Sequence, residues 1–167
     1  MTHKIMAILA SSLVAIWVSA PGDAATRNSL DIGILEIGQP LFRLPKQVVR
    51  VKDCENKAQP LTCRFLLPDG IWYRLDKGRV ADKTYELPAK SLPTWAMPSD
   101  SPKVAMERAR RLTGLRFERW HDDYDGEFVE SSEPMKSRYG KYFWISIYFN
   151  KGHMKDVSIT SLPHPDV

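Results

Sequence analysis

YFWISIYFNKGHMKDVSIT, residues 142–160, decides the fold. Phe143, Ile145, Ile147 and Phe149 alternate with Tyr142, Trp144, Ser146 and Tyr148, a period of two built from aromatic and β-branched residues. That is the pattern of a strand with one face in a core. Asn150-Lys151-Gly152 offers a turn with glycine where a left-handed backbone is cheapest, and Val157 and Ile159 then alternate with polar residues on the return. The stretch predicts an antiparallel hairpin and, with it, a sheet-based fold.

A counterpart lies 74 positions upstream, where residues 75–84 (LDKGRVADKT) align without gaps on 149–158 (FNKGHMKDVS). The shared pattern is apolar, Asp/Asn, Lys, Gly, any, apolar, any, Asp, any, Thr/Ser. It predicts either a duplicated hairpin unit or convergence on turn chemistry that many hairpins use. Around it, residues 25–87 read as a meander of about four strands: 46–52, 62–67, 71–75 and 79–87, with turns at Pro68-Asp69-Gly70 and Asp76-Lys77-Gly78. Residues 30–37 (LDIGILEI) suit a short helix or a strand equally, and Gly38-Gln39-Pro40 ends them.

Residues 88–102 hold four prolines and form a crossover between the halves. Trp95 and Met97 are large for a solvated spacer, so the segment is expected to pack down across the body. One helix is predicted at about residues 102–113, with Ser101 as cap, Pro102 at the first position and Gly114 as the stop. Ala105, Ala109 and Leu112, flanked by Val104 and Met106, form its apolar stripe. Lys103, Arg108, Arg110 and Arg111 lie outward, Glu107 is spaced to pair with Arg111, and Arg116 and Arg119 extend the basic surface. Residues 115–120 and 127–131 then read as strands about a turn at 121–126. The C-terminal half, residues 103–162, is therefore helix plus sheet, a tail of 163–167 follows, and the fold class expected is α+β with the helix packed on a four-stranded antiparallel sheet.

The start of the chain bears on compartment. Residues 1–24 have the parts of a secretory signal: His3 and Lys4, an apolar run over 5–20, and small residues up to Ala24. The run is shorter than the roughly 20 residues of a spanning helix, so no stable membrane span is expected after cleavage. Removing 24 of the 167 residues leaves 143, enough for one domain, and the net charge stays +4 because Lys4 and Asp23 leave together. So modest a charge does not point to nucleic acid in an exported protein. The two cysteines, Cys54 and Cys63, enclose a polar loop and are expected to form a structural disulfide, a pairing that suits a periplasmic or secreted location.

Chemistry-bearing motifs are sparse. Asp123, Asp125 and Gly126 echo a calcium loop, yet its first and twelfth positions would be His121 and Ser132, which do not serve. There is no G-x-S-x-G elbow, no H-E-x-x-H and no phosphate-cradling glycine loop, and the mature histidines His121, His153 and His164 lie on no catalytic motif. No catalytic residue, metal ligand or cofactor is assigned. The candidate binding residues are Tyr142, Trp144 and Tyr148 on the strand face opposite the core, and Arg108, Arg110 and Arg111 on the helix. The aromatic face is expected to meet a partner, or to lie under the crossover with Trp95, or to face a second sheet.

The order of elements resembles in outline compact exported inhibitors and envelope assembly factors, with no motif to carry residues over. The expectation is a non-catalytic exported protein binding another envelope or extracellular protein. A ligand or cell-wall-polymer binder using the same aromatic face is the alternative, and a periplasmic hydrolase the third reading. Cleavage after Ala24 predicts that the exported chain begins at Ala25, which intact-mass measurement of the exported protein checks.

Overall fold

The computed structural model describes residues 30, 33–56, 60–87, 92–122 and 126–161. The signal segment, residues 88–91 of the crossover, the hairpin tip at 123–125 and the tail with His164 lie outside them. The elements run β1 (Arg50–Lys52), β2 (Cys63–Leu66), β3 (Trp72–Asp76), β4 (Arg79–Glu86), α1 (Pro102–Thr113), β5 (Phe117–Asp122), β6 (Gly126–Ser131), β7 (Met135–Lys136), β8 (Tyr142–Asn150) and β9 (His153–Thr160). Every pairing is antiparallel, and the sheet order is β1-β2-β3-β4-β9-β8-β6-β5, with β7 beside the first residues of β8. Among the described residues the fold is thus mostly antiparallel sheet with one helix, α+β or mainly β in class. The two halves share a single sheet.

The β8–β9 hairpin forms as its alternation predicts. Asn150 pairs with His153 across Lys151-Gly152, both with positive φ (51° and 79°). Left-handed geometry at both central residues matches the twist of the flanking strands. The β3–β4 hairpin repeats it: Asp76 pairs with Arg79 across Lys77 (48°) and Gly78 (70°). Each ladder also carries a bulge. Arg74↔Asp82 steps to Leu75↔Val80, leaving Ala81 extra, and Tyr148↔Asp156 steps to Phe149↔Met154, leaving Lys155 extra.

Directly paired residues share a face of the sheet. One row, Val51-Phe65-Tyr73-Lys83-Ile159-Ile145, and a second, Tyr85-Val157-Ile147-Val129, define the core face. Trp95 and Ala96 of the crossover and Ala105 and Ala109 of α1 join these side chains in one apolar cluster. The crossover therefore packs down as expected through Trp95, while Met97 remains exposed, contrary to expectation. Lys83 is fully buried on this face, with Nζ 6.0 Å from the centre of the Tyr73 ring.

Local readings differ from the structure in a few places. Residues 33–39 form neither helix nor strand but a run of bends and turns that buries Leu35 and Ile37. The segment is held by hydrogen bonds to the sheet, so its apolar residues need no periodicity: Tyr73 Oη donates to Asp69 Oδ2 (2.6 Å), and the Ile34 N–H donates to Tyr73 Oη (3.0 Å). Helix α1 ends at Gly114 in the left-handed conformation (φ 71°), but Ser101 makes no side-chain cap bond. Leu112 is 50% exposed: α1 buries Pro102, Ala105 and Ala109, a stripe on whose flank Leu112 falls, while Val104 lies well off it. His121 and Asp122 belong to β5, not to a turn. The Cys54–Cys63 disulfide forms beside the β1–β2 hairpin, with Cα atoms 4.2 Å apart, and by loop closure contributes about 2–3 kcal/mol.

Burial, then the Asp69 carboxylate, hold the Tyr73 phenol well above its ordinary range. Below the unfolded-state value the hydroxyl is protonated folded and unfolded; above it only the unfolded chain loses the proton, so this group's stabilisation falls as pH rises. Tyr73→Phe is expected to cost about 1–2 kcal/mol near neutrality. Above a pH of about 10 the gap to wild type should narrow by about 1.4 kcal/mol per pH unit. Urea unfolding of both proteins across that range measures it.

Candidate functional site

The opposite face of the sheet follows from the same registers. One row crosses eight strands: Arg50, Leu66, Trp72, Thr84, Ser158, Ser146, Glu130 and Glu118. Beside it run Lys52, Arg64, Arg74, Asp82, Thr160 and Trp144, and, on its other side, Trp120, Phe128, Tyr148, Asp156 and Glu86. Trp95 and Ala96 of the crossover and Ala105 and Ala109 of α1 belong to the core cluster, so the apolar side of these elements is turned to the other face.

Trp72 and Phe128 are buried, yet neither joins the apolar cluster of the other face. Trp72, 5% exposed, is roofed by cations: Lys52 Nζ lies 4.8 Å and Arg64 Cζ 5.1 Å from its ring centre. Arg64 also pairs with Glu86 at 2.9 Å. A cleft of about 410 Å³ opens here, lined in part by Arg50, Lys52, Leu66, Trp72 and Glu86. An aromatic wall with adjacent cations attracts flat or anionic groups. Further across, Arg74 Nε donates to Asp82 Oδ2, and the Thr160 hydroxyl donates to Asp82 Oδ1 at 2.6 Å. The hydrogen bond to Asp82 is the main cause holding the Arg74 guanidinium above its ordinary value. Tyr148 stacks on Phe128 with ring centres 5.5 Å apart, and the Ser146 hydroxyl donates to Glu130 Oε1 at 2.5 Å.

The candidate residues divide between the two sides of the sheet. Tyr142, Trp144 and Tyr148 share the open face, Tyr142 exposed with Lys136 Nζ 5.9 Å from its ring, and Trp144 and Tyr148 half-buried. Trp95 does not lie against them, because it belongs to the core cluster. The helix arginines are on the other side of the sheet and have separate surroundings. Arg108 makes a bidentate pair with the buried Asp100 (2.6 and 3.1 Å), and the hydrogen bond to Asp100 raises its pKa. Arg110 donates to the Phe117 carbonyl. Arg111 is exposed and, among the described residues, does not pair with Glu107. His121 and His153 are exposed, each near an end of its strand, and among the described residues their imidazoles make no side-chain hydrogen bond or ion pair. No group of three or more metal-binding side chains is found there either.

Compared with known families, characterised proteins and solved structures, the chain matches none.

Trp72, Lys52, Arg64 and Phe128 were not singled out by sequence pattern. A signal for them existed. In β3 Trp72 and Arg74 have the opposite parity to Tyr73, and the Lys52↔Arg64↔Arg74 register puts the β2 cation Arg64 and the β1 cation Lys52 on the face of Trp72. A double-mutant cycle with Arg64→Met and Trp72→Phe should give a coupling of about 0.5–1 kcal/mol in urea unfolding, the range of a partly exposed cation–π contact.

Proposed function

We propose that this is an exported, non-catalytic protein that binds another protein, of the envelope or the extracellular space, through the open face of its sheet. The observation that carries the reading is the set of accessible aromatics on the face opposite the core, Tyr142 exposed and Trp144 and Tyr148 half-buried, with the cations Lys52 and Arg64 over Trp72 on the same face. Aromatic and arginine side chains together are the composition of interface anchors, and folding of the core does not require them there. Export is supported by the signal-like segment and by the disulfide, which suits an oxidising compartment. Among the described residues no helix is long and apolar enough to cross a membrane.

The cleft beside Trp72 favours one alternative, an anionic ligand or wall polymer held by Arg50 and Lys52. Tryptophan emission would respond to such a ligand.

We also infer that β1–β4 and β5–β9 descend from one duplicated unit of about four strands. Support comes from the shared turn geometry, from bulges at Ala81 and Lys155, which are 74 positions apart, and from the central ladder, where Thr84 pairs with Ser158 at the same separation. Residues related by the alignment thus meet at a local two-fold axis.

Cross-linking in the native envelope tests the leading reading. Capture of a defined partner by wild type should fall about tenfold with Trp144→Ala, and as far with Arg50→Glu plus Lys52→Glu, as loss of an interface anchor implies. Arg111→Glu should leave it unchanged. Equal capture by all variants, with unfolding midpoints unaltered, would sink the reading.

A further inference from the structure

The β3–β4 turn supports a second surface, at the end of the sheet. Gly78 is used on both sides: its N–H donates to the Leu61 carbonyl (2.8 Å) and its carbonyl accepts from the Leu41 N–H (2.8 Å). Further bonds, Gly38 N–H to Val80 O (2.7 Å) and Val80 N–H to Gln39 O (3.0 Å), and an Arg79 guanidinium on the Gly38 carbonyl (2.9 Å), fix the chain leading into Leu41. Two separate segments are thereby held against one turn, and each presents an apolar side chain to solvent. Phe42 is 86% exposed and Leu61 64%.

Folding gains almost nothing from a phenyl ring so exposed. Its described surroundings are predominantly basic. Phe42 lines two adjoining depressions of about 600 and 400 Å³, one holding Arg43 and Lys46, the other Leu61, Lys77 and Arg79, and no acid lines either. Arg43, Lys46 and Lys77 make no ion pair among the described residues. Asp76, in the same turn, stands opposite Arg79 in the ladder, so the turn carries Lys77 and Arg79 against this one acid.

We propose that this tip docks on an anionic phospholipid surface, with Phe42 and Leu61 entering the headgroup boundary and Arg43, Lys46, Lys77 and Arg79 meeting the phosphates. Charge complementarity selects the occupant, because four cations around an apolar tip match a layer of anionic headgroups. The form of the tip favours lipid over a protein. A ring that stands clear of its own protein has no packed surroundings to complement a partner's rigid pocket, whereas a fluid interface needs none. The contact is peripheral and reversible, and it uses the end of the strands, leaving the open sheet face for other contacts.

The test is flotation of the mature chain with vesicles of phosphatidylcholine alone and of phosphatidylcholine mixed with phosphatidylglycerol. Binding is expected to the mixed vesicles, with little to phosphatidylcholine and loss at about 0.5 M salt, where screening is short-ranged. Phe42→Ser should weaken it about tenfold, and Lys46→Gln and Lys77→Gln about fivefold each. Phe42→Trp should show a blue-shifted difference emission on the mixed vesicles, and Leu112→Ser, at an exposed apolar position on the helix, should bind as wild type does. These exposed positions leave folding intact, so a weakened variant reports on the surface itself. No binding to the mixed vesicles, equal binding to both kinds, or Phe42→Ser binding as wild type overturns the proposal.

Discussion

The pairing of β4 with β9, from Asp82↔Thr160 to Glu86↔Asp156, is the contact on which the rest depends. Among the described residues it is the only ladder joining β1–β4 to β5–β9, and without it each half would end in an unpaired edge strand, which invites aggregation. The join is reinforced at both ends. Ser161 N–H donates to the Ala81 carbonyl at 2.8 Å, Leu87 N–H to the Lys155 carbonyl at 3.2 Å, and the Thr160 hydroxyl to Asp82 at 2.6 Å. The acceptors at Ala81 and Lys155 are the two bulged residues. The extra residue that bends each hairpin also supplies the carbonyl that extends the central ladder, so the bulges serve the join between the halves.

That one ladder explains why residues 92–101 of the crossover pack down. β4 ends on one side of the chain's midpoint and its neighbour β9 is the last strand, so everything from residue 87 to 152 has to leave the sheet centre and build outward from the far edge back to it. A free linker would leave the core face of the centre bare. Trp95, Ala96 and the alanines of α1 close it, and Arg108 on the buried Asp100 fixes the corner where crossover becomes helix. The arginine that reads as part of a basic patch in the sequence is thereby committed to structure.

What was readable in the sequence was local. Alternation in 142–160, the two Lys-Gly turns, the Pro102 and Gly114 ends of the helix and the cysteine pair each depend on residues near one another, and each appears with small shifts of boundary. The irregular 33–39 segment was not readable, because its order comes from Tyr73 and Asp69, more than thirty residues away. Leu112 shows the limit from the other side: a helical stripe predicts which residues share a face, but the width of the buried band is set by the sheet beneath it. For the candidate site, parity correctly joined Tyr142, Trp144 and Tyr148, whereas Trp72 under Lys52 and Arg64 depends on the β1–β2–β3 register, which turn chemistry alone does not reveal.

The register also sorts charge across the open face. β1 to β3 contribute Arg50, Lys52, Arg64 and Arg74, while β4, β9, β6 and β5 contribute Asp82, Glu86, Asp156, Glu130 and Glu118. At the boundary the two signs neutralise each other through Arg64–Glu86 and Arg74–Asp82, and beyond it Arg50 and Lys52 remain on one side and Glu118 on the other. A partner of a single charge sign would therefore be attracted to one half and repelled by the other. A partner with both signs in the opposite order would be held in one orientation. Such a face would constrain orientation more than affinity, because the two halves, whose β3–β4 and β8–β9 hairpins share a turn and a bulge, differ in the charges they carry.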